Sequence, residues 1–126
     1  TASASNSGLS SDRDVWVYRS SVAPIPIIRN EELILIYAEA SIQNNSLPDA
    51  VVALNKIRTG HGLPVYSGAV TQAALINEML NQRRYSLFYE GHRWVDMRRY
   101  DRLASLPVDR VGDDVWSAMP IPQTEQ

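Results

Sequence analysis

The chain has 126 residues, 44% of them hydrophobic, and its 12 basic and 14 acidic side chains leave a formal charge of −2. This composition fits one globular domain with a modest core, and the near-balance of charge gives no electrostatic basis for binding nucleic acid or an anionic membrane. The absence of cysteine excludes disulfides, thiolate catalysis and zinc–thiolate sites.

No apolar run approaches the ~20 residues of a membrane span; the longest, Leu33 to Ala38, has six. The opening TASASNSG has neither a basic nor an apolar region and is not a signal peptide. The expectation is that a signal was removed or that the chain is a fragment. Residues 1–12 are expected to form a flexible lead, and residues 13–126 a single helical domain. VWVY at 15–18 has strand composition. Pro24 and Pro26 force an extended path.

The first predicted helix starts with Asn30 as N-cap. Glu31 and Glu32 follow in its first turn, where the helix dipole favours anions. LILIYAEASI (33–42) is apolar nearly all round, which predicts burial on more than one side. Asn44, Asn45 and Ser46 end it. A second helix begins near Pro48, carries Ala50, Val51, Leu54 and Ile57 at helical spacing, and ends at Gly60 and Gly62. The short connection makes the two an antiparallel αα-hairpin. Ala38, Ala50 and Leu54 also fall where a tetratricopeptide-type unit places two small residues and one large one. Such a unit needs neighbours to bury its faces.

Residues 63–70 form a loop. Thr71 caps a long third helix whose apolar face comprises Leu75, Ile76, Met79, Leu80, Leu87 and Phe88. Gly91 interrupts it, and RWVDMRRYDRL resumes a helical pattern. The end is rich in Pro, Gly and Asp, and Pro120 and Pro122 again demand extended backbone. The predicted fold is therefore mainly α, a helical-hairpin architecture with extended proline-rich flanks.

Three chemistries bear on these residues. For metal, His61 and His92 lie 31 residues apart with no third ligand in register. The acids Asp109, Asp113 and Asp114 lack EF-hand spacing. For nucleophilic catalysis, no G-x-S-x-G elbow occurs. For glycoside hydrolysis, Glu90 and Asp96 are the candidate acids, but Arg93 and Arg99 stand three residues beyond them. A carboxylate beside an arginine is favoured in its ionised form, which suits a general acid poorly. No catalytic residue, metal site or cofactor is expected.

The charged segment EGHRWVDMRRY (90–100) is instead read as architecture. Trp94 and Phe88 are expected to anchor it in the core. The expected ion-pair network comprises Glu32, Glu39, Arg58, Arg83, Glu90, Arg93, Asp96 and Arg99, with the planar guanidinium groups pairing carboxylates. Substituting Asp96 or Arg93 is expected to lower stability more than ligand affinity. The remaining functional signal is a set of aromatics outside helical apolar faces: Trp16, Tyr18, Tyr66 and Trp116. Aromatic rings suit the flat, weakly apolar faces of sugars, so these four are the candidate ligand-binding residues.

Four segments together resemble the SusD/RagB family. IRNEELILIYAEA (28–40) is similar to its I-R-x-A-E-x-x-L-x-x-A-E-A signature, and LNKIRTGHG (54–62) to L-N-x-I-R-x-R-A-G. QRRYSLFYEGHRWVDMRRY (82–100) resembles E-R-R-x-E-L-x-F-E-G-x-R-W-x-D-L-x-R-W, and MPIPQTE (119–125) resembles P-I-P-x-x-E. The departures are Glu31 for the family's alanine, Gly60 and His61 for its arginine–alanine pair, and Gln82 and Ser86 for two acids on the third helix.

The resemblance implies a surface-exposed, outer-membrane nutrient-binding lipoprotein that binds oligosaccharide beside a TonB-dependent (SusC-like) transporter and is not an enzyme. It also implies that this chain is the C-terminal piece of a longer protein or a reduced relative, with the lipid anchor elsewhere. The alternative function is a helical-repeat scaffold for protein contact, with no sugar site in this chain. A shallow aromatic cleft favours sugar; a broad apolar helical face favours protein.

Overall fold

The computed structural model describes residues 4–6, 9–11, 20–108, 111–118, 121–122 and 124. The chain divides into two compact units, one of Pro26–Asp96 and the other of Thr1–Ile25 with Met97–Gln126. In the second, β1 (Ala4–Asn6) and β2 (Leu9–Ser11) pair antiparallel within the segment read above as a lead, with Ser5 opposite Ser10. VWVY lies outside the described residues.

The Pro26–Asp96 unit is built on three helices: α1 (Asn30–Gln43), α2 (Leu47–Gly60) and α3 (Gln72–Ser86). Each packs against the other two. The local signals explain the boundaries. Thr71 accepts from the Ala74 N–H at 3.3 Å, capping α3. Pro48 sits in the first turn of α2, where its missing N–H costs nothing. Asn45 adopts the left-handed conformation (φ 60°) that closes α1, and Ser46 N–H reaches Ser41 O at 2.8 Å. The connection of residues 44–46 makes α1 and α2 antiparallel neighbours.

Two expectations about α1 are corrected. Its N-cap is the extended Arg29, not Asn30, because Leu33 N–H bonds Arg29 O at 3.3 Å and starts the helix one residue earlier. Nor is the helix buried on several sides. Leu35, Ala38, Ser41 and Ile42 form its buried stripe, whereas Leu33, Ile36 and Tyr37 are about half exposed. The physical reason is that α2 and α3 both lie against one side of it.

The core joins that stripe to Ala50, Ala53, Leu54 and Ile57 of α2 and to Leu75, Met79 and Leu80 of α3. Ala38, Ala50 and Leu54 are each fully buried. The two alanines let the hairpin helices approach closely, and the leucine fills the space between elements, as a tetratricopeptide-like pair requires. After α3, residues 87–91 form a turn that leads into α4 (His92–Arg99), and a short 3-10 helix covers Leu103–Ser105. In the expected apolar face of α3, Leu87 is buried but Phe88 is 59% exposed. The helix has ended at Ser86, so Phe88 no longer follows its periodicity.

Two positions that depart from the family motif behave differently. Gln82 is buried and donates to Glu78 Oε1 at 2.8 Å. Ser86 Oγ is buried with no hydrogen-bond partner among the described residues. An unsatisfied buried hydroxyl is unfavourable by roughly 1–3 kcal/mol. Ser86→Ala is accordingly expected to leave the melting temperature unchanged or raise it, measured by circular dichroism; a clear drop contradicts the assignment.

Candidate functional site

One concavity of the Pro26–Asp96 unit lies at the α3–α4 turn. The turn reverses the chain with two residues in left-handed backbone, Tyr89 (φ 71°) and Gly91 (φ 78°). Glycine takes this conformation freely, but for a bulky residue such as Tyr89 it is strained by about 1 kcal/mol or more. Phe88 and Tyr89 stand outward, 59% and 71% exposed, with ring centroids 6.4 Å apart. Beside them opens a pocket of about 290 Å³, near the lower end for small-molecule sites. Its wall includes Arg83 and Arg84 from the end of α3, Phe88 and Tyr89 from the turn, and Arg93 and Trp94 from the start of α4.

Beneath the turn, ion pairs fix its position. Arg83 Nε donates to Asp96 Oδ2 at 2.7 Å, and both side chains are buried. Arg29 donates to both Glu31 and Glu90, tying the start of α1 to the turn. Burial by itself lowers the Arg29 pKa, but the hydrogen bond and charge of Glu90, reinforced by Glu31, outweigh it and raise it above the ordinary value. Glu31 also meets His61, Oε1 to Nε2 at 3.1 Å. These are two of the positions at which the sequence departs from the family motif, and they contact each other. On the far side of the unit, Arg58 donates to Glu78 and, at 2.8 Å, to Pro64 O.

Arg83 pairs with Asp96, Glu90 with Arg29, and Arg58 with Glu78. Glu32 lies 3.8 Å from His92 Nε2, and Glu39 is half-buried on α1. Arg93 lines the pocket, and the Arg99 guanidinium lies 5.6 Å from the Tyr100 ring centroid. Arg29, Glu31, His61 and Glu78 were not anticipated. Apart from Arg29 with Glu31, these pairs join different elements (Arg29 and Glu90 are 61 positions apart), so helical spacing carries no sign of them.

Of the candidate sugar-binding aromatics, Trp16 and Tyr18 lie outside the described residues. Tyr66 is half-buried in the α2–α3 loop, its N–H held by Asn55 Oδ1 at 2.7 Å and its hydroxyl donating to Ala69 O at 3.0 Å. Trp116 is 58% exposed in the other unit. Sequence reasoning missed Phe88 and Tyr89 as exposed rings. It placed Phe88 and Trp94 in the core, but Phe88 faces solvent and Trp94 is a half-buried wall of the pocket.

A second concavity is purely helical. Leu33, Ile34 and Tyr37 of α1 and Val52, Ala53 and Lys56 of α2 line a shallow groove of about 340 Å³. Among the described residues no group of three or more His, Cys, Asp or Glu side chains is placed to hold a metal, and no helix is long and apolar enough to cross a membrane.

A three-helix unit with tetratricopeptide-like packing and a lateral aromatic pocket defines a helical-hairpin protein. The SusD family's sequence pattern matches residues 5–125, and the chain belongs to that family. It is 30% identical over 104 residues to a SusD-like protein, P38, of Formosa agariphila, covering 73% of this chain and 21% of that one. Among solved structures, a SusD superfamily protein from Bacteroides vulgatus superposes with a TM-score of 0.61 at 32% identity, over 62% of this chain and 17% of that one. The chain thus spans about a fifth of the length of these relatives. SusD-family proteins are in general non-catalytic carbohydrate-binding lipoproteins of the outer membrane that associate with SusC-like transporters.

Proposed function

We propose that this chain is part of a cell-surface, outer-membrane glycan-binding protein that delivers oligosaccharide to a TonB-dependent transporter without altering it chemically. The observation that carries this reading is the pair of exposed rings, Phe88 and Tyr89, beside a concave pocket. Paired aromatics next to a cleft offer the stacking surface that sugar rings need. The two acids best placed in the sequence for hydrolysis support a binding role, because both are held by guanidinium groups, Glu90 by Arg29 and Asp96 by Arg83.

A second reading is favoured by the α1–α2 groove. Leu33, Tyr37 and Val52 are 51%, 56% and 61% exposed on adjoining helices. Helical-hairpin units stack to cover such faces, and this chain spans 21% of its relative. In this reading the groove receives a neighbouring hairpin of the longer protein and the chain is scaffold.

A glycan-array screen of the folded chain separates the two, with hits titrated on Trp16→Ala, Trp116→Ala and Tyr89→Ala variants. The expected result is a hit that at least one of these substitutions weakens tenfold or more, about 1.4 kcal/mol per aromatic contact. An array without hits, from a chain shown to be folded, assigns it to scaffold.

A further inference from the structure

We infer that the pocket at the α3–α4 turn takes an anionic saccharide, whose ring stacks on the exposed aromatics while its carboxylate or sulfate meets arginine; this rests on the glycan-binding reading. Charge is the first observation. The chain as a whole carries −2, yet the wall of this one pocket holds Arg83, Arg84 and Arg93 and no aspartate or glutamate. Arg83 is neutralised by Asp96 beneath the wall. Arg84 is exposed, lies 5.7 Å from the Tyr85 ring centroid, and has no carboxylate partner among the described residues. The wall therefore keeps a surplus of positive charge. A guanidinium suits an oxyanion group because its planar fork donates two parallel hydrogen bonds.

Backbone conformation is the second observation. Tyr89 is held left-handed although asparagine or glycine fits that conformation with less strain. The result is a ring that stands 71% exposed at the pocket mouth. Tyr89 falls on the phenylalanine of the family's F-E-G-x-R-W block, and its exposed ring offers a stacking platform beside the pocket. The pocket volume suits about one sugar ring, and the open side lets the remaining rings of a chain continue into solvent.

The test is calorimetric titration of the chain with a galacturonate tetrasaccharide, a sulfated galactose tetrasaccharide and the neutral galactose tetrasaccharide, at low and moderate salt. At least one anionic sugar is expected to bind tenfold or more tighter than the neutral one, with an advantage that shrinks as salt rises. Arg84→Gln is expected to remove that advantage, and Arg99→Gln to leave it intact. Tyr89→Asn relieves the left-handed strain, so it is expected to raise the melting temperature while weakening binding. A merely structural tyrosine would not show this opposition.

Equal affinity for neutral and anionic sugars overturns the anion assignment but leaves the glycan reading standing. Binding of an anionic sugar that survives both Arg84→Gln and Tyr89→Asn overturns the pocket. A folded chain that binds none of the three, yet binds an acidic peptide with loss on Arg84→Gln, overturns both in favour of protein recognition.

Discussion

Replacing Asp96 by alanine is expected to destabilise the chain by about 3–5 kcal/mol, the loss typical of breaking a buried ion pair from one side. Asp96 is 3% exposed, and its Oδ2 accepts from Arg83 Nε at 2.7 Å. Without the carboxylate, the Arg83 guanidinium stays 6% exposed with its charge unpaired. Folded domains hold only about 5–15 kcal/mol in total, so the fall in melting temperature should be roughly 10–20 °C. The intact pair need not itself be a large net gain, because removing two charges from water offsets much of their attraction. The combined variant Arg83→Met with Asp96→Leu is therefore expected to recover most of the loss. Denaturant unfolding of the two single variants and the double variant measures this directly. If Asp96→Ala shifts the midpoint by less than about 1 kcal/mol, the pair is not the anchor of the turn. The same anchor fixes where α3 gives way to α4, so loss of the pair should also blur the pocket above it.

Leu54→Ala is expected to cost about 2–5 kcal/mol, combining lost transfer free energy with a cavity that the surroundings fill incompletely. Leu54 is fully buried on α2, as are Ala38 and Ala50. With the hairpin helices already close at those alanines, little remains that can collapse into the space. Val52, two residues earlier, is 61% exposed and lines the shallow groove. Val52→Ala should change stability by under about 0.5 kcal/mol, as surface substitutions usually do. Urea unfolding of the two variants side by side checks the contrast. Similar losses at both positions would mean that the α1–α2 face is covered in solution.

Much of the helical framework was legible because it depends on local rules. Thr71 announced α3, Pro48 the first turn of α2, and Ala50, Leu54 and Ile57 its inward face. The errors arose where local pattern met packing. LILIYAEASI looked buried all round, yet two neighbours cover only one of its sides, and apolarity alone does not say how many neighbours exist. Phe88 continued an apolar run, but the helix stopped two residues earlier and the turn sent its ring outward. The ion pairs were hardest to foresee. Helical spacing pointed to partners three residues away and carried no sign of Arg29 beside Glu90 or of Arg83 beside Asp96.

The sequence by itself determined the class of the molecule: a cysteine-free, charge-balanced helical hairpin chain carrying four motif segments in family order. Caps, helix-breaking residues and apolar periodicity act within a few residues, so they can be read from the chain directly. Tertiary structure alone decided that Tyr89 is left-handed and outward, that Glu31 meets His61, and that three arginines gather on one pocket wall. Charge pairing and concavity depend on distances between elements, and those distances exist only once the helices have packed.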